Sequence, residues 1–130
     1  MSSVRISIAR GNAESCGRMT LHQLGIATVP LTCSAPSFLP SPTLCATLIT
    51  PKTRAILLVT PNNPTGAIYP PALIREFAKL ARDRKVALVV DETYREFLSP
   101  GSGRPHELFA AEEADEDWRT YLVQLFSFSK

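Results

Sequence analysis

The sequence predicts an α/β protein: a mostly parallel sheet flanked by helices, forming part of a three-layer arrangement. Three observations lead there. Elements follow one another in the order strand, helix, strand, helix, strand, loop, strand, the pattern of a sheet built with crossover helices. The apolar runs lack polar–apolar alternation, as strands covered on both faces should. Polar clusters stand directly after three of those runs, at the carboxyl edge where such sheets bind ligands.

Gly25–Leu31 (GIATVPL) reads as a short buried strand, and the three prolines of the following CSAPSFLPSPT make that stretch a loop. Ser41 is placed to cap a short helix with Pro42 at its first position and Leu44, Leu48 and Ile49 facing inward; Pro51 ends it. Ala55–Thr60 (AILLVT) is a continuous apolar run of strand length. Pro70–Lys85 carries the clearest helical period, with Leu73, Phe77, Leu80, Ala81 and Arg84 on one face. Basic residues crowd its last turn and suit the negative end of the helix dipole. Val86–Val90 (VALVV) is again a strand, Pro100–Pro105 a loop, and Glu112–Trp118 an acidic stretch, exposed or weakly helical. Thr120–Leu125 (TYLVQL) is the last strand.

The bulk numbers exclude several classes. A chain of 130 residues with 45% apolar and 20% charged residues has the balance of one modest globular domain. A net charge of +2 is too small for a nucleic-acid or membrane surface, and no apolar stretch approaches the roughly 20 residues of a membrane helix. Cys16, Cys33 and Cys45 are odd in number and lack paired spacing. That argues against a disulfide framework or a zinc knuckle and for a reducing, cytoplasmic setting. The Ser- and Arg-rich start, with Glu14 its one acid, has the composition of a transit peptide or of a frayed terminus. Residues 1–18 are expected to lack regular structure.

Each polar cluster has two readings. Pro61–Gly66 (PNNPTG) is a tight turn by residue type. Its prolines equally stiffen a loop that aims the Asn63 amide at a ligand, and the Asn63–Pro64 bond is of the kind that adopts cis. Asp91 follows four apolar residues. It is either a surface acid or a carboxylate at a buried strand's mouth, which needs a cationic or hydrogen-bonding partner. Alternation points Glu92 elsewhere, and Tyr94 either packs in the core or brings its hydroxyl to the same pocket. Ser127, Ser129 and Lys130 either end the chain in solvent or bind phosphate and, through the lysine, a carbonyl.

PNNPTG, DETY and SFSK, in this order and spacing, resemble the motifs of the class I/II aminotransferases, the fold-type-I pyridoxal 5'-phosphate (PLP) enzymes. The flow of MTLHQLGI and ITPKTRAILL is also similar to that family, so the resemblance covers Met19–Lys130. It implies that residues 19–130 are part of the PLP-binding large domain. Lys130 would form the Schiff base and shuttle the proton. Asp91 would pair with the pyridine nitrogen, Asn63 and Tyr94 would hydrogen-bond the ring oxygen, and Ser127 would hold the phosphate.

The implied reaction moves an amino group from an amino acid to a 2-oxo acid; the implied partners are those small molecules, not nucleic acid or membrane, and the full-length relatives would be homodimers. Relatives of this kind carry a further phosphate-binding residue and a small domain beyond the lysine, so the chain reads as a truncated piece, expected to be inactive and poorly stable alone. Two other readings stay open: a lyase or ring-forming synthase on the same cofactor, and a non-catalytic remnant that binds or dimerises. A dinucleotide fold is disfavoured, because no G-x-G-x-x-G turn follows a strand.

Overall fold

The computed structural model describes the backbone of residues 5–10 and, with side chains, residues 21–98 and 118–128. Among the described residues the strands are β1 (Arg5–Arg10), β2 (Ala27–Thr32), β3 (Thr53–Val59), β4 (Ala87–Asp91) and β5 (Leu122–Leu125); the helices include α1 (Pro42–Leu48) and α2 (Pro71–Arg84). The strands form one sheet in the order β2-β1-β3-β4-β5, and every pairing is parallel. The α/β class with a parallel sheet and flanking helices is therefore present.

One expectation is corrected. Residues 1–18 contain β1, which pairs with both β2 and β3. Its sequence RISIAR places Ile6 and Ile8 two residues apart, the period of a strand. The parallel sheet supplies a hydrogen-bonding neighbour on each side, which a frayed terminus lacks. The strand β2 lies at the sheet's edge and contains Pro30; a residue without an N–H is tolerated in such a position.

The core lies on one face of the sheet. Ile56 and Leu58 of β3 are in register with Leu88 and Val90 of β4, and all four are fully buried. The intervening Leu57, Val59, Ala87 and Val89 are only half-buried. Against the buried row pack Cys45 of α1 and Ile74, Phe77, Ala78 and Ala81 of α2. The α2 stripe is rotated from the expected one: Leu73 and Leu80 flank the core, and Arg84 is exposed. Ile74, Phe77, Ala78 and Ala81 follow the i, i+3, i+4, i+7 spacing, and the two alanines let the helix approach the sheet closely.

In α1 the Ser41 hydroxyl accepts from the Leu44 N–H at 3.2 Å, with Pro42 in the first turn, as expected. Cys45, not Leu44, points inward. The Arg84 guanidinium donates to the Ala46 carbonyl at 3.3 Å and so joins the end of α2 to α1.

The chain leaves α2 through Lys85, which is left-handed (φ 53°) and donates its N–H to the Arg82 carbonyl at 3.1 Å. A side chain there meets its own carbonyl, which glycine avoids. Lys85→Gly is expected to raise stability by about 0.5–1 kcal/mol, seen as a higher urea midpoint at unchanged slope.

Burial pushes the Cys45 thiol up to about 11, an effect that the nearby Arg84 partly offsets. The folded state therefore favours the neutral thiol. That contribution is intact below the unfolded value of 9.0 and is lost as pH rises towards 11. Stability measured by urea unfolding is expected to fall between pH 9 and 11 more steeply in the wild-type chain than in Cys45→Ala.

Candidate active site

Parallel strands end on a common edge, and β3 and β4 carry the site there. Their ladder runs one step past the strands: the Thr60 N–H donates to the Asp91 carbonyl at 3.0 Å. The segment after β3 then folds back on itself. The Asn62 N–H donates to Ala67 at 2.8 Å and the Gly66 N–H to Asn62 at 2.7 Å. Within the turn, the Thr65 hydroxyl donates to the Asn62 side-chain oxygen at 2.8 Å. Gly66 has φ +71°, and a Cβ there would meet no atom within 4 Å, so its need is for the backbone angle and not for space. The return is pinned where Tyr69 donates its N–H to the Thr60 hydroxyl at 2.9 Å, in the interior. Burial, and secondarily the Cys33 thiol, push the Tyr69 hydroxyl well above its ordinary range, with Asn62 opposing. Tyr69 is a neutral core residue.

The adjacent asparagines therefore divide their work. Asn62 is 6% exposed and consumed by the turn, whereas Asn63 is exposed at its tip. The Asn63–Pro64 bond is cis, as are Thr60–Pro61 and Ala35–Pro36. The Asn63 amide donates to the Tyr94 hydroxyl at 3.2 Å, across 31 positions of sequence. Pro61, Asn62, Asn63, Pro64, Gly66, Tyr94 and Phe97 line a cleft of about 300 Å³.

Asp91 ends β4, opposite Val59 on one side and Leu125 on the other. One carboxylate oxygen accepts from the Thr93 N–H at 3.0 Å and the Thr93 hydroxyl at 2.7 Å. The other has no hydrogen-bond partner among the described residues. Glu92 belongs to the opposite, buried row with Leu88 and Val90. Ser127, half-buried, stands two residues beyond Leu125 on the same edge. Asn63 and Tyr94 are thus in contact. Asp91 and Ser127 share their edge without lining the cleft, and Lys130 and Ser129 lie outside the described residues.

Phe97 was not foreseen. It sits on the 3-10 turn Arg95–Phe97, its ring edge-on to Tyr94 with centroids 5.8 Å apart. Its position three residues after Tyr94 was the available signal.

The carboxyl edge of this parallel sheet thus presents the Asn63 amide, the Tyr94 phenol, the Asp91 carboxylate and the Ser127 hydroxyl. The chain belongs to the class I and II aminotransferase family, whose family model matches residues 18–130. It is 42% identical over 64 residues to the aspartate/prephenate aminotransferase of Thermus thermophilus, a match covering 49% of this chain and 17% of that protein. It is 34% identical over 82 residues to the aspartate aminotransferase of Sulfurisphaera tokodaii, covering 63% and 19%.

Among solved structures, the aspartate aminotransferase of Thermus thermophilus with maleate superposes with a TM-score of 0.76 at 26% identity, over 98% of this chain and 31% of that one. YbdL of Escherichia coli, identified as having a methionine aminotransferase function, shares the fold at a TM-score of 0.79 and 20% identity, covering 98% and 32%. The chain spans less than a fifth of the length of these curated relatives and about a third of the solved chains. Among the described residues no helix is long and apolar enough to cross a membrane.

Thr60→Val removes the acceptor for a buried N–H and is expected to cost about 1–3 kcal/mol. Urea unfolding measures that loss, and faster hydrogen exchange at the Tyr69 amide locates it.

Proposed function

We propose that this chain supplies the cofactor-holding part of a PLP-dependent aminotransferase acting on an amino acid and a 2-oxo acid. The observation that carries the reading is the Asn63–Tyr94 contact of 3.2 Å in the cleft wall, which unites two of the three clusters that sequence alone kept apart. The chemistry of the donor set fits the cofactor. A carboxylate oxygen with no partner among the described residues suits a protonated ring nitrogen, amide and phenol groups suit a ring oxyanion, and a hydroxyl suits a phosphate.

When bound, PLP supplies a reactive aldehyde and an electron-withdrawing ring. This chain's residues do the rest. Asp91 would favour the protonated form of the ring nitrogen, because a carboxylate beside it stabilises the charged form. Asn63 and Tyr94 would hydrogen-bond the ring oxygen. Ser127 would donate to the phosphate. Lys130 would hold the cofactor aldehyde through its amine and would serve as the base and acid for the proton on the substrate carbon.

The test is chemical trapping. The chain is incubated with PLP, reduced with borohydride and mapped by mass spectrometry. The label is expected on Lys130 in preference to Lys52, Lys79 and Lys85, and Asp91→Ala is expected to weaken cofactor binding by about 10- to 100-fold in a fluorescence titration. Equal labelling of all four lysines, or unaltered binding by Asp91→Ala, overturns the assignment. Formation of 2-oxo acid from an amino acid, measured on the longest natural form of the protein, tests the reaction itself.

A further inference from the structure

Among the described residues, the proposed cofactor contacts leave the buried carboxylate of Glu92 without a task. Glu92 is 1% exposed, in the midst of the apolar core row. Placing a carboxylate there is costly, and an apolar side chain of similar volume commonly packs as stably or better. Several contacts of this residue run in one direction. The Gln124 amide of β5 donates to Glu92 Oε2. The same oxygen stands 3.9 Å from the Arg95 guanidinium, which in turn lies 5.1 Å from the centre of the Phe126 ring. The Glu92 N–H donates to the Leu125 carbonyl at 2.9 Å, and the Arg95 N–H to the Glu92 carbonyl at 3.0 Å. Residues 92–95, which include Tyr94, are thus fastened to residues 124–126, which end just before Ser127.

The sequence of β5 explains why such a fastening matters. Leu122–Val123–Gln124–Leu125 followed by Phe126 is apolar except at Gln124, and its ladder with β4 has just four pairs, Leu88↔Leu122 to Asp91↔Leu125. Apolar side chains alone specify the register of so short a strand weakly. A shift of one residue moves every side chain to the other face and displaces the chain beyond the strand by about 3.3 Å. Gln124 meets Glu92 in a single register, and any slip leaves a buried carboxylate without its amide.

We propose that Glu92 is a positioning residue: by pairing with Gln124 it pins the register of β5 against β4, and so sets the placement of Ser127 and the lysine segment relative to Asp91 and Tyr94. This rests on the reading that Ser127 and Lys130 hold the cofactor. The pin itself consists of described residues alone.

The experiment compares the wild-type chain with Glu92→Gln, Glu92→Leu and Gln124→Leu, and with Leu80→Ala as a destabilised control on α2. All are checked for folding by circular dichroism, then incubated with PLP, reduced and mapped. Glu92→Gln keeps a hydrogen-bonding partner for Gln124 and is expected to retain preference for Lys130, as is Leu80→Ala. Glu92→Leu, though folded, is expected to lose that preference by at least about tenfold, with label spreading to Lys52, Lys79 and Lys85. If Glu92→Leu does not fold, Gln124→Leu, altered at a half-buried position, gives the same comparison. Undiminished selectivity in the folded leucine variants overturns the pin while leaving the cofactor reading intact. Loss of selectivity in Leu80→Ala to the same degree also overturns it, since general destabilisation then suffices. Indiscriminate labelling of the wild-type chain overturns the cofactor reading and the pin with it.

Discussion

The hydrogen bond from Thr60 to Asp91 is the constraint on which the site depends. It extends the β3–β4 ladder one step beyond the strands, so the chain leaves both at the same height. A parallel sheet makes this general, because every strand exits on one edge. Once β3 and β4 are in register, PNNPTG and DETY have to emerge side by side, and the Asn63–Tyr94 contact needs no long-range search. The core enforces the register from below: Ile56 and Leu58 lie beside Leu88 and Val90, and a slip of β4 by one residue turns Leu88 and Val90 away from α2.

What could be read from the sequence depends on how local each signal is. The Ser41 cap and Pro42 were legible because capping is settled within four residues. Strands β3 and β4 were legible as unbroken apolar runs, though the half-buried Leu57 and Val89 show one face better covered than the other. The strand β1 was not, since its alternation is short and flanked by arginines, and only non-local pairing with β2 and β3 makes it a strand. Of the face expected for α2, Phe77 and Ala81 do point inward, whereas Ile74 and Ala78 are buried where Leu73 and Leu80 were expected, because neighbouring apolar positions fit the same period and packing against the sheet decides.

The polar clusters behaved similarly. Their positions at strand ends were visible, and so was the orientation of Glu92 away from Asp91, since both stem from alternation. That Asn62 is spent on the turn while Asn63 projects was not visible, because the two side chains are chemically identical and only the folded loop distinguishes them. The pairing of Glu92 with Gln124, 32 positions away, is beyond any local pattern.

The Thr93 grip on Asp91 carries a further consequence. Two donors from a neighbouring residue hold one carboxylate oxygen, so the side chain's rotor is stilled before any ligand arrives. A cation meeting the second oxygen then need not freeze that torsion, and less of the binding free energy is spent against entropy. The acid is poised by its own backbone turn, independently of whatever else closes over it.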